Sequence, residues 1–158
     1  MNKEYYMQLA INQAKKSEKI DDVPVGAVIV KDNKVIASAF NKKEKMQVAT
    51  FHAEILAINK ACKKLKSFRL EDCSIFVTKE PCIMCMGAIL SARIKELYFG
   101  AYDKKYGTVD KIEQFDFNHK VKIEGGILEK ENQEMLSDYF KKLRKEKCSK
   151  QLLKKKKQ

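Results

Sequence analysis

The chain is expected to fold as α/β, a three-layer α/β/α sandwich around a mixed central sheet of about five strands, and three observations carry that expectation. Strand-length apolar segments recur at 23–30, 34–40, 74–78, 96–100 and 121–123. Segments with apolar residues at helical spacing fall between and around them. No repeat or linker interrupts the chain before its lysine-rich end, so 158 residues are read as one domain with one substantial core.

Glu4 to Lys19 reads as a first helix, with Tyr6, Leu9, Ala10 and Ala14 forming its apolar stripe. Val23 to Val30 is nearly all apolar, the pattern of a strand covered on both faces. Asp32-Asn33 is a turn signal, and Lys34 to Phe40 returns as the hairpin partner. Residues 41–47 are polar and expected to form a loop. A second helix is expected from about His52 through Leu65, then a buried strand at Ser74 to Thr78. Pro81 suits the first turn of a helix running to about Ser91, because its missing N–H would find no intrahelical partner there. Strands at Glu96 to Gly100 and Val121 to Ile123 follow. Ile127 to Lys147 reads as a long amphipathic helix with Leu128, Met135, Leu136, Tyr139, Phe140 and Leu143 inward. The folded domain is thus expected to span 1–148, with 149–158 a disordered lysine-rich tail.

With 44% hydrophobic and 34% charged residues, the composition is that of a soluble globular protein. Its formal net charge of +12 points to an anionic partner, nucleic acid first among them. From Lys141 onward ten Lys or Arg face a single acid, Glu146, which leaves only +3 for residues 1–140. Five cysteines show no disulfide framework, and neither a signal peptide nor a membrane-length apolar run is present, so a cytoplasmic, membrane-free protein is expected.

Chemistry concentrates in Phe51-His52-Ala53-Glu54 and in Thr78-Lys79-Glu80-Pro81-Cys82-Ile83-Met84-Cys85. One imidazole and two thiolates make three ligands of the softness zinc prefers, and three protein ligands leave a catalytic zinc one position for water. One zinc per chain is expected, held by His52, Cys82 and Cys85. Glu54 lies two residues from His52, close enough to move protons without occupying the metal. H-x-E followed by P-C-x-x-C is the known pattern of zinc-dependent nucleobase deaminases, in which the Glu is general acid and base. A structural zinc site with Cys73 or His119 as fourth ligand is the alternative, but it has no use for the glutamate. Cys62 and Cys73 are expected as core thiols, and His119 in a local structural hydrogen bond.

Beyond the metal motif, the chain resembles the bacterial-type tRNA-specific adenosine deaminases of the cytidine-deaminase-like superfamily. The resemblance rests on Val23 to Val28, Asn41, His52-Ala53-Glu54, Ser67 to Glu71, Thr78 to Ala88, Ser91 to Ile94, Phe99-Gly100, Asp103, Asn118 to Val121 and Gly125 to Leu128. It implies hydrolytic conversion of adenosine to inosine at the tRNA wobble position by zinc-activated water. It also implies that Asn41 and the backbone of Ala53 bind the flipped-out base, and that Asp103 faces a neighbouring ribose. Tyr139, Phe140 and Arg144 would meet RNA, namely the anticodon stem-loop, and the protein would be a homodimer. Val48 to Phe51 and Lys104 to Val109 depart from the family pattern where substrate context is read. The competing functions are deamination of a free base or nucleoside of guanine or cytosine type, and a non-catalytic RNA-binding subunit, which would have no need of Glu54.

Overall fold

A computed structural model describes residues 1–156. Its elements are α1 (Lys3–Glu18), β1 (Gly26–Lys31), β2 (Lys34–Phe40), a one-turn α2 (Lys43–Met46), α3 (Ala53–Leu65), β3 (Cys73–Lys79), α4 (Ile83–Ser91), β4 (Glu96–Ala101), a 3-10 helix (Val109–Gln114), β5 (Lys122–Glu124) and α5 (Glu129–Lys156). The strands form one mixed sheet in the order β2-β1-β3-β4-β5. β1 runs antiparallel to both β2 and β3, whereas β3, β4 and β5 are parallel. The expected five-stranded sandwich is what forms.

Strand alternation splits the core into two layers. Val28, Val30, Phe76 and Tyr98 point to one face, where they pack under Tyr6, Met7, Ala10 and Ile11 of α1. Phe76 stacks on Tyr98 with ring centroids 4.8 Å apart and touches Tyr6 at 5.3 Å. Ala27, Ile29, Ile75, Val77, Leu97 and Phe99 point the other way, onto Ala57, Ala61, Met86 and Ile89 of α3 and α4. Because both faces are covered, β3 is buried along nearly its whole length, as its unbroken apolar run requires. Phe76→Ala would remove the ring that joins α1 to the sheet and cost about 3–5 kcal/mol.

The Asp32-Asn33 turn has φ of 49° and 58°, the left-handed pair that a two-residue hairpin needs and that Asp and Asn tolerate. Gly26 is set by contact rather than by φ: a Cβ there would overlap the backbone carbonyl of Ala10, so the glycine lets α1 lie directly on β1.

Four expectations change. Val23 to Val25 is not strand, since β1 starts only at Gly26, and Val23 and Val25 give their carbonyls to Asn41 instead. The loop at 41–47 contains α2. Pro81 lies before the first turn of α4, whose N-cap is Cys82. Finally, the end expected to fray from 149 continues α5 to Lys156, exposed throughout its last turns; Lys157 and Gln158 lie outside the described residues. Exposed lysines and glutamates are good helix formers, so a lysine-rich end need not be a disordered one. No helix among the described residues is long and apolar enough to cross a membrane.

Candidate active site

Both half-motifs sit at helix starts beyond the ends of buried strands. His52 is the N-cap of α3 and Cys82 the N-cap of α4, each with an extended backbone and neither using its side chain as a cap. Their side chains are therefore available to each other. Cys85 lies three residues after Cys82, one turn along, so both sulfurs face the same side. His52 Nδ1 lies 3.7 Å from Cys82 Sγ and 3.5 Å from Cys85 Sγ, and the three donor atoms all fall within 4.8 Å of one another. Bonds of about 2.3 Å to sulfur and 2.0–2.1 Å to nitrogen at tetrahedral angles place donor atoms about 3.5–3.8 Å apart. The observed spacing fits a metal of that kind.

The electrostatics agree with that fit. Cys82 is driven down to about 3, first by the hydrogen bond from Cys85 and then, against the penalty of burial, by His52. Cys85 is pushed the other way, because the Cys82 thiolate takes its hydrogen bond and burial and Glu54 oppose a second charge. The hydrogen bond with Cys82 likewise raises His52. Two thiols and an imidazole this close compete for one proton, and a divalent cation is what lets both sulfurs be thiolates and the imidazole neutral.

Glu54 occupies the second position of α3 and is only 4% exposed. Burial raises its pKa, partly offset by its own backbone N–H and by His52. Its Oε2 is buried with no hydrogen-bond partner among the described residues. Burial thus makes this carboxyl readier to hold a proton than a free one, and its orphaned oxygen faces the space where a partner would have to come.

These groups open onto a cavity of about 450 Å³, a volume suited to a nucleobase with part of its sugar. Among the residues expected from sequence, His52, Ala53, Glu54, Cys82, Asn41, Asp103 and Phe140 line this one space. Cys85 is fully buried behind Cys82. Two expected RNA contacts lie elsewhere: Tyr139 turns toward α1, donating its hydroxyl to Asp21 O at 3.3 Å, and Arg144 is exposed further along α5. Cys73 sits at the far end of β3 from the motif, and His119 donates from Nε2 to Ile94 O at 2.7 Å, so neither joins the metal group. Cys73 is buried and Cys62 half-buried; burial raises both thiols.

Sequence reasoning missed the residues that hold the opposite wall. Glu80 is 8% exposed, and its carboxylate accepts from the backbone N–H of Asp103 (2.9 Å) and of Val109 (3.0 Å). Thr108 adds a hydroxyl bond to Pro81 O at 3.0 Å, and a Cβ at Gly107 would run into the Glu80 carboxylate. Lys79 pairs with Asp103 at 2.8 Å, and Asp103 also accepts from the N–H of Lys105 and Tyr106. The available signal was an acid without an assigned task inside the motif, directly before Pro81-Cys82.

Comparison with known proteins accords with this geometry. The profile of the MafB19-like deaminases matches residues 1–144. A tRNA-specific adenosine deaminase of Aquifex aeolicus (strain VF5) is 45% identical over 148 residues, covering 91% of this chain and 97% of the relative. Its counterpart in Bacillus subtilis (strain 168) is 43% identical, covering 91% and 92%. A solved structure from studies of A-to-I editing by tRNA:A34 deaminases at the wobble position of transfer RNA superposes with a TM-score of 0.80 at 39% identity, covering 84% of this chain and 99% of that one.

Proposed function

Because the chain belongs to the MafB19-like deaminases and to the tRNA-specific adenosine deaminases, we propose that it hydrolyses adenosine to inosine at the wobble position of tRNA. The observation that carries the reading is the buried, partnerless Glu54 Oε2 beside a His52-Cys82-Cys85 group of metal-binding spacing.

In this reading His52, Cys82 and Cys85 hold one zinc ion. Zinc, when bound there, supplies a Lewis acid that makes water nucleophilic at neutral pH. Glu54 does the proton work: it accepts the proton of the attacking water and passes it to a ring nitrogen of the base. The water oxygen bonds to the carbon bearing the amino group. Glu54 next takes the second proton from that new hydroxyl and gives it to the departing amino group, so that the C–N bond breaks, ammonia leaves and a carbonyl remains. Burial favours this exchange, because a raised carboxyl pKa brings the group nearer the operating pH. Ala53 is the first residue of α3, and its backbone N–H has no intrahelical acceptor; Asn41 and Asp103 face the same cavity. These groups orient the nucleotide, while Phe140 at the mouth offers a ring against which a base can stack. The anticodon stem-loop is the RNA partner in this reading. A homodimer is proposed on family resemblance and is checked by sedimentation, where a species of 18.3 kDa alone would reject it.

Purified protein, assayed for metal and then incubated with total tRNA, free guanine and free cytosine, tests the whole. One zinc per chain and inosine in tRNA are expected. Ammonia from the free bases without inosine in tRNA would overturn the substrate, and active protein devoid of zinc would overturn the mechanism.

A further inference from the structure

We propose that Asp22 is the positioning residue for Asn41: its buried carboxylate fixes the orientation of the Asn41 amide, so that this side chain can offer the nucleotide only a hydrogen-bond acceptor. The inference rests on the deaminase reading and concerns how that site chooses its substrate.

Asp22 is wholly buried and Asn41 is 7% exposed, yet both line the cavity. Asp22 follows Asp21, which has a left-handed φ of 58° in the turn after α1. Its Oδ1 accepts from Asn41 Nδ2 at 3.0 Å and from the N–H of Val23 at 3.0 Å; its Oδ2 accepts from the N–H of Lys45 at 3.0 Å. One carboxylate thereby ties the α1–β1 loop to the turn after β2. Ser17 closes the cluster, donating its hydroxyl to Asn41 O at 3.0 Å and accepting the Asp22 N–H at its own carbonyl.

Counting donors and acceptors decides the orientation. The Asn41 amide nitrogen has two hydrogens, and both are taken, one by Asp22 Oδ1 and one by Val23 O at 3.0 Å. Its Oδ1 accepts from the N–H of Lys43 at 3.1 Å and keeps one lone pair. Rotating the amide by half a turn would set oxygen against two acceptors and NH2 against a donor. The amide is therefore locked, and a substrate group meeting Asn41 in the cavity must be a donor: an exocyclic amine or a ribose hydroxyl. Without Asp22 only Val23 O and the Lys43 N–H remain, and the turn carrying Lys45 loses its anchor.

A double-mutant cycle on anticodon stem-loop RNA tests the assignment. Asp22→Ala and Asn41→Ala are each expected to lower kcat/KM by about 10–50-fold, chiefly through KM, since Glu54 and the metal group are untouched. The double variant should be no more than about threefold worse than Asn41→Ala alone, because Asp22 acts through Asn41. Asp22→Asn keeps an acceptor for Asn41 but sets its NH2 against the Lys45 N–H, so a smaller KM effect is expected; it carries the cycle if Asp22→Ala does not fold. Losses that multiply, or a fall in kcat at unchanged KM with a lower active fraction, would show Asp22 to be merely structural. Absence of inosine from the unaltered protein would count against the deaminase reading instead, which keeps the two failures apart.

Discussion

In the proposed deaminase reading, one wall of the cavity would do the chemistry and the other would read the substrate, and the two are built by different means. His52, Glu54, Cys82 and Cys85 all lie within the first turn of α3 or α4, two helices packed on the sheet. Asn41, Asp103 and Tyr106 lie in loops across from them. Each loop is held by a buried carboxylate that accepts backbone N–H groups, Asp22 at the turn after β2 and Glu80 at the segment after β4. A helix start fixes side-chain geometry from spacing alone. A loop must borrow its rigidity from elsewhere, here from acids 23 and 29 residues away from the farthest groups they hold, the backbone N–H of Lys45 and of Val109. The chemical wall therefore tolerates little change in residue type, while the reading wall can vary in its loops provided the two acids remain.

The largest effect expected on either wall comes from Glu54. Glu54→Ala should lower single-turnover deamination by about 10²–10⁴-fold, the usual worth of a positioned proton donor and acceptor. Zinc content and RNA affinity should stay near those of the parent. Its melting temperature should not fall, because the substitution removes a buried oxygen that has no partner. A variant keeping more than about a tenth of the rate would move proton transfer to another group and erase the division between the walls.

On the reading wall, Glu80→Ala frees two backbone N–H groups at once, a loss of roughly 1–3 kcal/mol local to the 103–109 segment. The amides of Asp103 and Val109 should exchange hydrogen faster, and KM should rise about tenfold with kcat nearly kept. Glu80→Gln retains one acceptor oxygen and should release one amide of the two. Zinc loss together with a fall in kcat would place Glu80 on the chemical wall, two residues from Cys82, and break the comparison.

This difference in construction also explains what was legible in the sequence. Strand order could not be read, but strand and helix positions could, because apolar periodicity is local. Lys34–Phe40 fell where expected and α3 ended at Leu65 as expected. His52, Glu54, Cys82 and Cys85 were legible because motif spacing along a helix start is itself geometry. Asp22 and Glu80 were not, since their partners are backbone N–H groups of distant loops, and backbone donors leave no mark in residue type. Asn132 escaped for a different reason: it is buried at the start of α5, donating to the carbonyls of Ile127 and Leu128, on a helix whose polar residues were expected outside. The fate of the lysine-rich end turned on charge being read as disorder, when exposed lysines are compatible with helix.

That helical end offers a test of whether affinity resides in the cavity at all. Beyond Cys148, α5 carries Lys150 and Lys154 to Lys156 on an exposed helical extension past the residues matched to the family profile. Removing everything after Cys148 should flatten the slope of log K against log salt by about 1–2, with turnover at saturating RNA unchanged. Affinity lost at the arm with selectivity kept would leave reading to Asn41 and the 103–109 loop. An unchanged slope would reduce the arm to a solubilising surface and assign RNA binding to the folded body.

The smallest expected effect lies in the Lys79–Asp103 pair, which bridges the two walls from the end of β3. Burial pushes the Asp103 carboxyl up, but the Lys79 ammonium and the N–H groups of Tyr106 and Lys105 outweigh it, so its pKa is held below the usual carboxylate range. A carboxyl lowered in the folded state adds stability that is present above its unfolded pKa, about 3.9, and is lost as pH falls through the folded value. Lys79→Met should therefore lower stability at pH 7, and the gap from the parent should close as the pH drops below about 4. The Lys79 side chain is 30% exposed, so solvent screening limits the gap to about 0.5–1 kcal/mol, shrinking further in high salt. Urea melts at pH 7 and pH 3 measure it. A gap that survives at pH 3 would mean that Lys79 works by packing its aliphatic stem, and that Glu80 holds the loop without help from the ion pair.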